Sequence, residues 1–442
     1  MSRRRPQSGL FFMPGEMLQE RASKHILRYN MYKTMERMIP MSLDNQAFPP
    51  ASIREDGQYS IDLTGPGSHI LVIRRGVGSL SIGPPELGNK ADLHVAPDEP
   101  IHWSVFDPFA TPAGSPWPRH LTYTGNDSGF LEWAQKRPIE QMNWRPLLSA
   151  DVELDASLSR MHGFFIELKS SASGCVNLKL PNELFHLTVS GELSRFVATG
   201  ALPSMLILAP STSRRKTDTP LQLPEMGELQ GVTSLTLQGA SLGQPISLNG
   251  LDRFPRLESL SLWGNFCHMD ALARHPGLRN LELRFIPELG DLPPLETWPL
   301  LDRFIAYNVE EAGGKRLRQQ MKARAKTRPW SDYASVSQLR KPEWWITEFG
   351  RPFASWPKRL AKLANEAYTL AQASMAEARS IAEAETILTA FTRRFNGMKG
   401  IETTERDDLG EAVWQLSQSP HLIGHPIPEE TAQGWFDAVR DY

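Results

Sequence analysis

The sequence has few cysteines, no long apolar run and almost no net charge, and each of these excludes a class of protein. Two cysteines in 442 residues, Cys175 and Cys267, are too few for a disulfide framework and fit a reducing compartment. No run of 18 apolar residues occurs, so we expect no membrane span, and the short apolar run after residues 3–5 is not a secretory signal. These observations favour a cytoplasmic location. A net charge of −2 excludes a globally basic nucleic-acid binder and an acidic solvating tail.

Catalytic and metal-binding motifs are also missing. The sequence contains no G-x-S-x-G, no P-loop, no G-x-G-x-x-G and no H-E-x-x-H. His421 and His425 have the spacing of metal ligands, but Gly424 and Pro426 indicate a loop, and no Cys or acidic pair sits at a third fixed offset. Cys267 is adjacent to His268 and falls at an apolar position, which favours a buried thiol. We therefore predict no catalysis, no cofactor and no metal site.

The composition is that of a folded protein with about three domains. Forty per cent of the residues are hydrophobic and 22% are charged, which is enough for a sizeable core. Residues 1–45 hold seven of the fifteen methionines at roughly helical spacing, and predict a helix that packs on the next domain or binds a partner. Residues 46–155 carry strand and turn signals around a long loop at 97–118, which contains six prolines and several aromatic residues.

An internal repeat is the strongest signal in the chain. The pattern L-x-x-x-P-x-L-x-x-[LF]-x-[LA] begins at Leu251, Leu272 and Leu295, at intervals of 21 and 23 residues. A fourth copy upstream lacks the proline but keeps the leucines. Each copy predicts a short strand with two inward side chains, so one residue from each strand should be buried in register: Leu235, Leu260, Leu281 and Phe304.

This pattern resembles the leucine-rich repeat, as found in irregular bacterial proteins of that kind, over about residues 180–310. The resemblance implies stacked repeats that share one core and present a concave sheet to a partner. The asparagine that usually follows the strand occurs only as Asn265, so the repeats should be irregular. The predicted fold class is α+β: a β-rich N-terminal region at 46–155, an irregular leucine-rich-repeat or β-solenoid centre at 156–310, and an all-α C-terminal cap at 311–442.

The outward positions of the repeat strands supply the candidate partner-binding residues. Tryptophan, arginine and tyrosine are enriched at interface hot spots and follow one another in one column, where they should stack as a cation–π ladder. The predicted partner-binding residues are Trp263, Arg284, Tyr307, Gln238, Glu282 and Arg303. We predict a protein-recognition function, as an adaptor, a regulator or an immunity protein that neutralises a toxin. The alternative is that the 97–118 segment covers the column.

A basic run at residues 315–328 supports a second hypothesis. It holds seven basic residues and no acidic one, with tryptophans nearby. It is either a solvated helix face or a surface that binds nucleic-acid phosphates. In the second case the contacts would be Lys315, Arg316, Arg318, Lys322 and Arg324. A third hypothesis, an enzyme with its site in residues 50–150, lacks a visible nucleophile–base set.

Overall fold

The computed structural model describes residues 53–213, 215, 217–418 and 426–442. These residues form two compact units, one that ends at Pro342 and one that begins at Glu343. The methionine-rich segment predicted at 1–45 and the pair His421 and His425 lie outside the described residues.

The first unit is built mainly from short strands. In chain order they are β1 (Gly57–Ile61), β2 (His69–Ile73), β3 (Ser79–Gly83), β4 (Leu93–His94), β5 (His120–Thr124), β6 (Ile139–Arg145), β7 (Val152–Asp155), β8 (Met161–Leu168), β9 (Val176–Leu180), β10 (His186–Gly191), β11 (Phe196–Gly200), β12 (Met205–Pro210), β13 (Ser234–Gln238), β14 (Ile246–Ser247), β15 (Ser259–Trp263), β16 (Phe266–Cys267), β17 (Asn280–Ile286), β18 (Arg303–Glu310) and β19 (Ala334–Arg340). Helix α1 (Phe130–Lys136) precedes β6, and helix α2 (Glu311–Thr327) connects β18 to β19.

Twelve of these strands form one sheet in which every pair is parallel. Their order is β19-β18-β17-β15-β13-β12-β10-β8-β6-β5-β3-β4. Two smaller sheets, β11-β9-β7 and β14-β16, are also parallel, whereas β1 and β2 form an antiparallel hairpin. One hydrophobic cluster contains side chains of the twelve-stranded sheet together with Val176, Leu178 and Phe196 of the β11-β9-β7 sheet. One face of the large sheet therefore packs into a core, and the other face carries its polar side chains.

The predicted fold class is wrong. The chain contains a large all-parallel sheet with helices, an α/β-like arrangement, in place of a β-rich N-terminal region, a repeat centre and an all-α cap. Strands β3, β4, β5, β6 and β8 from the N-terminal half and β19 from the predicted cap belong to the same sheet as the repeat strands. The error has a physical cause. Hydrophobic alternation shows which face of a strand is buried, but it does not identify the neighbour with which a parallel strand pairs.

The predicted register of the repeat strands is confirmed. Leu235 pairs with Leu260, Leu260 with Leu281, and Leu281 with Phe304. Each of these four side chains is at most 1% exposed. The first leucine of each complete repeat, Leu251, Leu272 and Leu295, is fully buried in a 3₁₀ segment that precedes the strand. The first leucine and the [LF] position of the motif are thus explained by burial in one core.

The unit that begins at Glu343 is helical in its described part. Helix α3 (Pro342–Phe349) spans the boundary, and α4 (Lys358–Glu377), α5 (Ile381–Arg393), α6 (Thr403–Ser417) and α7 (Glu429–Val439) follow. Helices α4 to α7 contribute to a second hydrophobic cluster that includes Phe353, Leu388 and Phe436. The Ser380 hydroxyl accepts the backbone N–H of Glu383 at 3.2 Å, so α5 starts with its own cap.

Candidate partner-binding surface

The polar face of the twelve-stranded sheet is organised in rows that run across the strands. Successive side chains of a strand alternate between faces, and paired parallel strands bring equivalent residues side by side about 4.8 Å apart. The third outward position of the last strands forms one such row, in the order Gln238, Trp263, Arg284, Tyr307, Ser337. The predicted column therefore exists, and β19 extends it by one residue.

Trp263, Arg284 and Tyr307 stack on one another, as the sequence predicts; we call these three residues the ladder. The Cζ atom of Arg284 lies 5.3 Å from the ring centroid of Trp263 on one side and 5.7 Å from that of Tyr307 on the other. Both distances are within the range of cation–π attraction. The guanidinium is held between two rings supplied by neighbouring strands.

The ladder is less exposed than its position on the outer face suggests. Trp263 is 8% exposed, and Gln238 and Tyr307 are half-buried. The 97–118 segment was the alternative cover for this column, but its rings contact other residues: Trp103 packs on Trp133, and Phe109 packs on Tyr59. Burial of Trp263 makes it a poor position for testing binding without disturbing stability, so Arg284 and Tyr307 are the better sites.

A carboxylate balances the positive charge of the ladder. Glu282, two residues earlier on the same face of β17, accepts a hydrogen bond through Oε1 from Nε of Arg284 and forms an ion pair with its Nη2. The Ser261 hydroxyl donates to Glu282 Oε2 at 3.0 Å. Arg303, at the first outward position of β18, lies 3.6 Å from an Asp332 oxygen. The predicted partner-binding residues thus share one face of the sheet. Three of them, Glu282, Arg284 and Arg303, form ion pairs with side chains of the chain itself.

The strands that carry Arg284 and Tyr307 bend immediately after them. Phe285 and Asn308 follow the ladder residues and adopt left-handed backbone angles, with φ of 53° and 50°. Such angles are uncommon for a residue other than glycine, and especially for a bulky one such as phenylalanine. The bend returns the next residue, Ile286 or Val309, to the core and places the Phe285 ring edge-on to Tyr307 at 6.0 Å.

Phe285 and Asn308 were not among the residues predicted from the sequence. Inward residues of the repeat strands recur every two positions up to Leu283, but the next inward residue is Ile286, three positions later. That change of spacing was visible in the sequence and is typical of a bulge-like irregularity. Residues in strained conformations are concentrated at binding and catalytic sites, which adds an observation in favour of this surface.

The basic run forms helix α2, and three of its five candidate phosphate contacts hold the helix in place. Arg316 Nη2 donates to the Leu289 carbonyl at 2.6 Å, and Arg318 Nε donates to the Val336 carbonyl at 3.0 Å. Arg324 is 7% exposed, donates to the carbonyls of Leu295 and Leu301, and lies over the Trp330 ring at 4.4 Å. Lys315 pairs with Glu311 at 2.9 Å, and Lys322 is exposed.

The cysteine region offers no activated nucleophile. Sγ of Cys267 lies 3.6 Å from Nδ1 of His268, and the same nitrogen lies 2.9 Å from the Ser247 hydroxyl. Burial raises the pKa of the Cys267 thiol, which favours the protonated form. Among the described residues, no three His, Cys, Asp or Glu side chains are grouped so that they could hold a metal ion.

His186 of β10 lies on the same sheet face and links stability to pH. Burial lowers its pKa from 6.5 to about 4, and its Nε2 atom lies 3.1 Å from the Thr188 hydroxyl.

The folded protein favours the neutral ring of His186. The contribution of this ring to the free energy of unfolding is therefore complete above pH 6.5 and is lost as the pH falls towards 4. We expect urea denaturation to show a decrease of up to about 1 kcal/mol per pH unit in this interval, reduced in His186→Gln. His94→Gln, at an exposed histidine, should leave the decrease unchanged; an equal reduction there would contradict the assignment.

Comparison of the chain with models of protein families, with curated proteins and with solved structures finds no match. Within the described residues, no helix has the length and apolar character needed to cross a membrane.

Proposed function

We propose that this protein binds a partner protein, without catalysis, through the polar face of its twelve-stranded sheet, and that the ladder lies at the centre of the contact. The observation that carries the proposal is the Arg284 guanidinium held between Trp263 and Tyr307 and paired with Glu282. Tryptophan, tyrosine and arginine supply a disproportionate share of the binding energy in protein interfaces.

Preorganisation supports this role. A long arginine side chain normally loses rotamer freedom when it is immobilised in an interface, which weakens binding. Two ring contacts and a carboxylate already restrict Arg284 in the free chain, so little further ordering is needed. The rigid parallel strands beneath the ladder fix the spacing of the three side chains.

The cellular role remains that of an adaptor, a regulator or a toxin-immunity protein, and a cytoplasmic location is part of the proposal. Cys175 and Cys267 are both free thiols, which fits a reducing compartment. The nucleic-acid alternative has less support than the sequence suggests, because Arg316, Arg318 and Arg324 donate to carbonyls of the chain itself.

Arg284→Ala and Tyr307→Ala are each expected to weaken binding of the partner by about 2 kcal/mol or more, the size typical of hot spots. The partner would be isolated on the full-length protein from its own cells, identified by mass spectrometry, and titrated against each variant by calorimetry. Arg145→Ala is the matched control, because Arg145 also lies on this face and pairs with a carboxylate, that of Glu167, at 2.7 Å on distant strands. Equal losses in all three variants, or none, would contradict a contact centred on the ladder.

A further inference from the structure

We infer that the ladder recognises an uncharged hydrogen-bond acceptor of the partner, such as a backbone carbonyl or a side-chain amide, and that Glu282 sets this preference over a carboxylate. The inference rests on the proposed function and adds the chemistry of the partner's contacting group.

Most polar atoms of the Arg284 guanidinium already have contacts within the chain. The ring centroids of Trp263 and Tyr307 lie 5.3 Å and 5.7 Å from Cζ of Arg284, and the Glu282 carboxylate accepts from Nε and forms an ion pair with Nη2. No described residue accepts a hydrogen bond from Nη1 of Arg284, and its side chain is 24% exposed. One nitrogen of this partly exposed guanidinium, Nη1, is therefore without an acceptor among the described residues.

A second donor of the ladder also lacks an acceptor. The indole Nε1 of Trp263 is buried and has no acceptor among the described residues. A buried N–H without an acceptor is uncommon in folded proteins, because the group has lost water without gaining a partner. Both ladder residues thus have a donor without an acceptor. The indole donor is shielded from solvent, so the partly exposed Arg284 side chain is the one that an acceptor oxygen of the partner can reach.

The negative charge of Glu282 disfavours a charged acceptor relative to a neutral one. A carboxylate at Nη1 would approach a guanidinium whose charge Glu282 already balances, and Glu282 would repel it. Ser261 holds the Glu282 carboxylate from its other oxygen, so it cannot easily turn away. The other charges on this face are also paired, Arg303 with Asp332 and Arg145 with Glu167. A surface whose charges are paired with one another in this way complements an uncharged segment of the partner.

The inference can be tested without the natural partner. Phage-displayed random dodecapeptides would be selected on the immobilised full-length protein. A peptide that binds this protein but does not bind the Arg284→Ala variant would be counted as ladder-dependent. We expect these peptides not to be enriched in Asp or Glu, and their affinity to change less than about twofold between 50 and 500 mM NaCl, because screening acts on charged contacts.

Glu282→Gln provides the decisive comparison. It keeps the shape of the side chain and removes the charge that balances Arg284, so selection on this variant should shift to acidic peptides that bind the variant about tenfold more tightly than the parent. Glu167→Gln is the control, because it removes a carboxylate from the same face at strand β8 and should leave the selection unchanged.

The outcomes separate the two proposals. If the ladder-dependent peptides selected on the parent are acidic, or if selection on Glu282→Gln does not shift to acidic peptides, the preference for uncharged acceptors is wrong. The proposed binding function would still stand. The absence of any ladder-dependent peptide would contradict the binding function as well.

Discussion

Leu260→Ala is expected to lower the free energy of unfolding by about 2–5 kcal/mol, the range observed when a buried leucine is truncated in a well-packed core. Leu260 is 1% exposed and pairs with Leu235 on one side and Leu281 on the other. The parallel strands on both sides limit collapse around the missing atoms, so a cavity should remain. Urea denaturation of the purified protein would measure the change.

Leu158→Ala is the matched control for this substitution, because Leu158 is 66% exposed in the same unit. A surface substitution of this kind should change stability by no more than about 0.5 kcal/mol. If Leu260→Ala unfolds at the same urea concentration as the parent and as Leu158→Ala, the assignment of Leu260 to the centre of the core is wrong.

Arg324→Glu is expected to destabilise the protein by about 3–5 kcal/mol, the usual effect of leaving a buried charge without its partner. The parent side chain is buried and donates to the carbonyls of Leu295 and Leu301. A carboxylate in its place would face two acceptors and would lose the contact with the Trp330 ring. Thermal denaturation followed by circular dichroism would report the loss.

Lys322→Glu makes the same charge reversal at an exposed position of helix α2, and it should leave stability nearly unchanged. The pair also tests the nucleic-acid hypothesis. Phosphate contacts would make binding fall steeply with salt, and Lys322→Glu would then reduce retention on heparin. We expect no tight binding of the parent at physiological salt. Nanomolar binding to DNA or RNA under those conditions would contradict the proposed function.

Much of the candidate surface could be predicted from spacing alone. Trp263, Arg284 and Tyr307 each follow the inward pair of a repeat strand, and one alignment of the repeats places them in one row. Their stacking then follows from the distance between parallel strands. The left-handed backbone angles of Phe285 and Asn308 could not be predicted in the same way, because a three-residue step between apolar positions indicates an irregularity in a strand but does not specify a backbone angle.

The role of the basic run could not be predicted from sequence either. Seven positive charges without an acidic neighbour indicate a surface, yet Arg324 is buried and Arg316 bonds a carbonyl. Arginine has five donors on a long apolar stem, so it can satisfy backbone carbonyls of a distant segment as readily as phosphates. Which of these it contacts depends on what the fold brings near it.

By itself, the sequence determined which side chains of the repeat strands are buried, which face outward, and how Leu235, Leu260, Leu281 and Phe304 align. These are local properties, because the two-residue period of a strand and the constant length of a repeat act within about 25 residues. Only the tertiary structure decided that β3 to β6, β8 and β19 join the repeat strands in one parallel sheet, that Glu282 neutralises Arg284, and that Arg324 is buried. Strand pairing, ion pairs and burial of charge depend on contacts between segments far apart in the chain, and no local pattern records them.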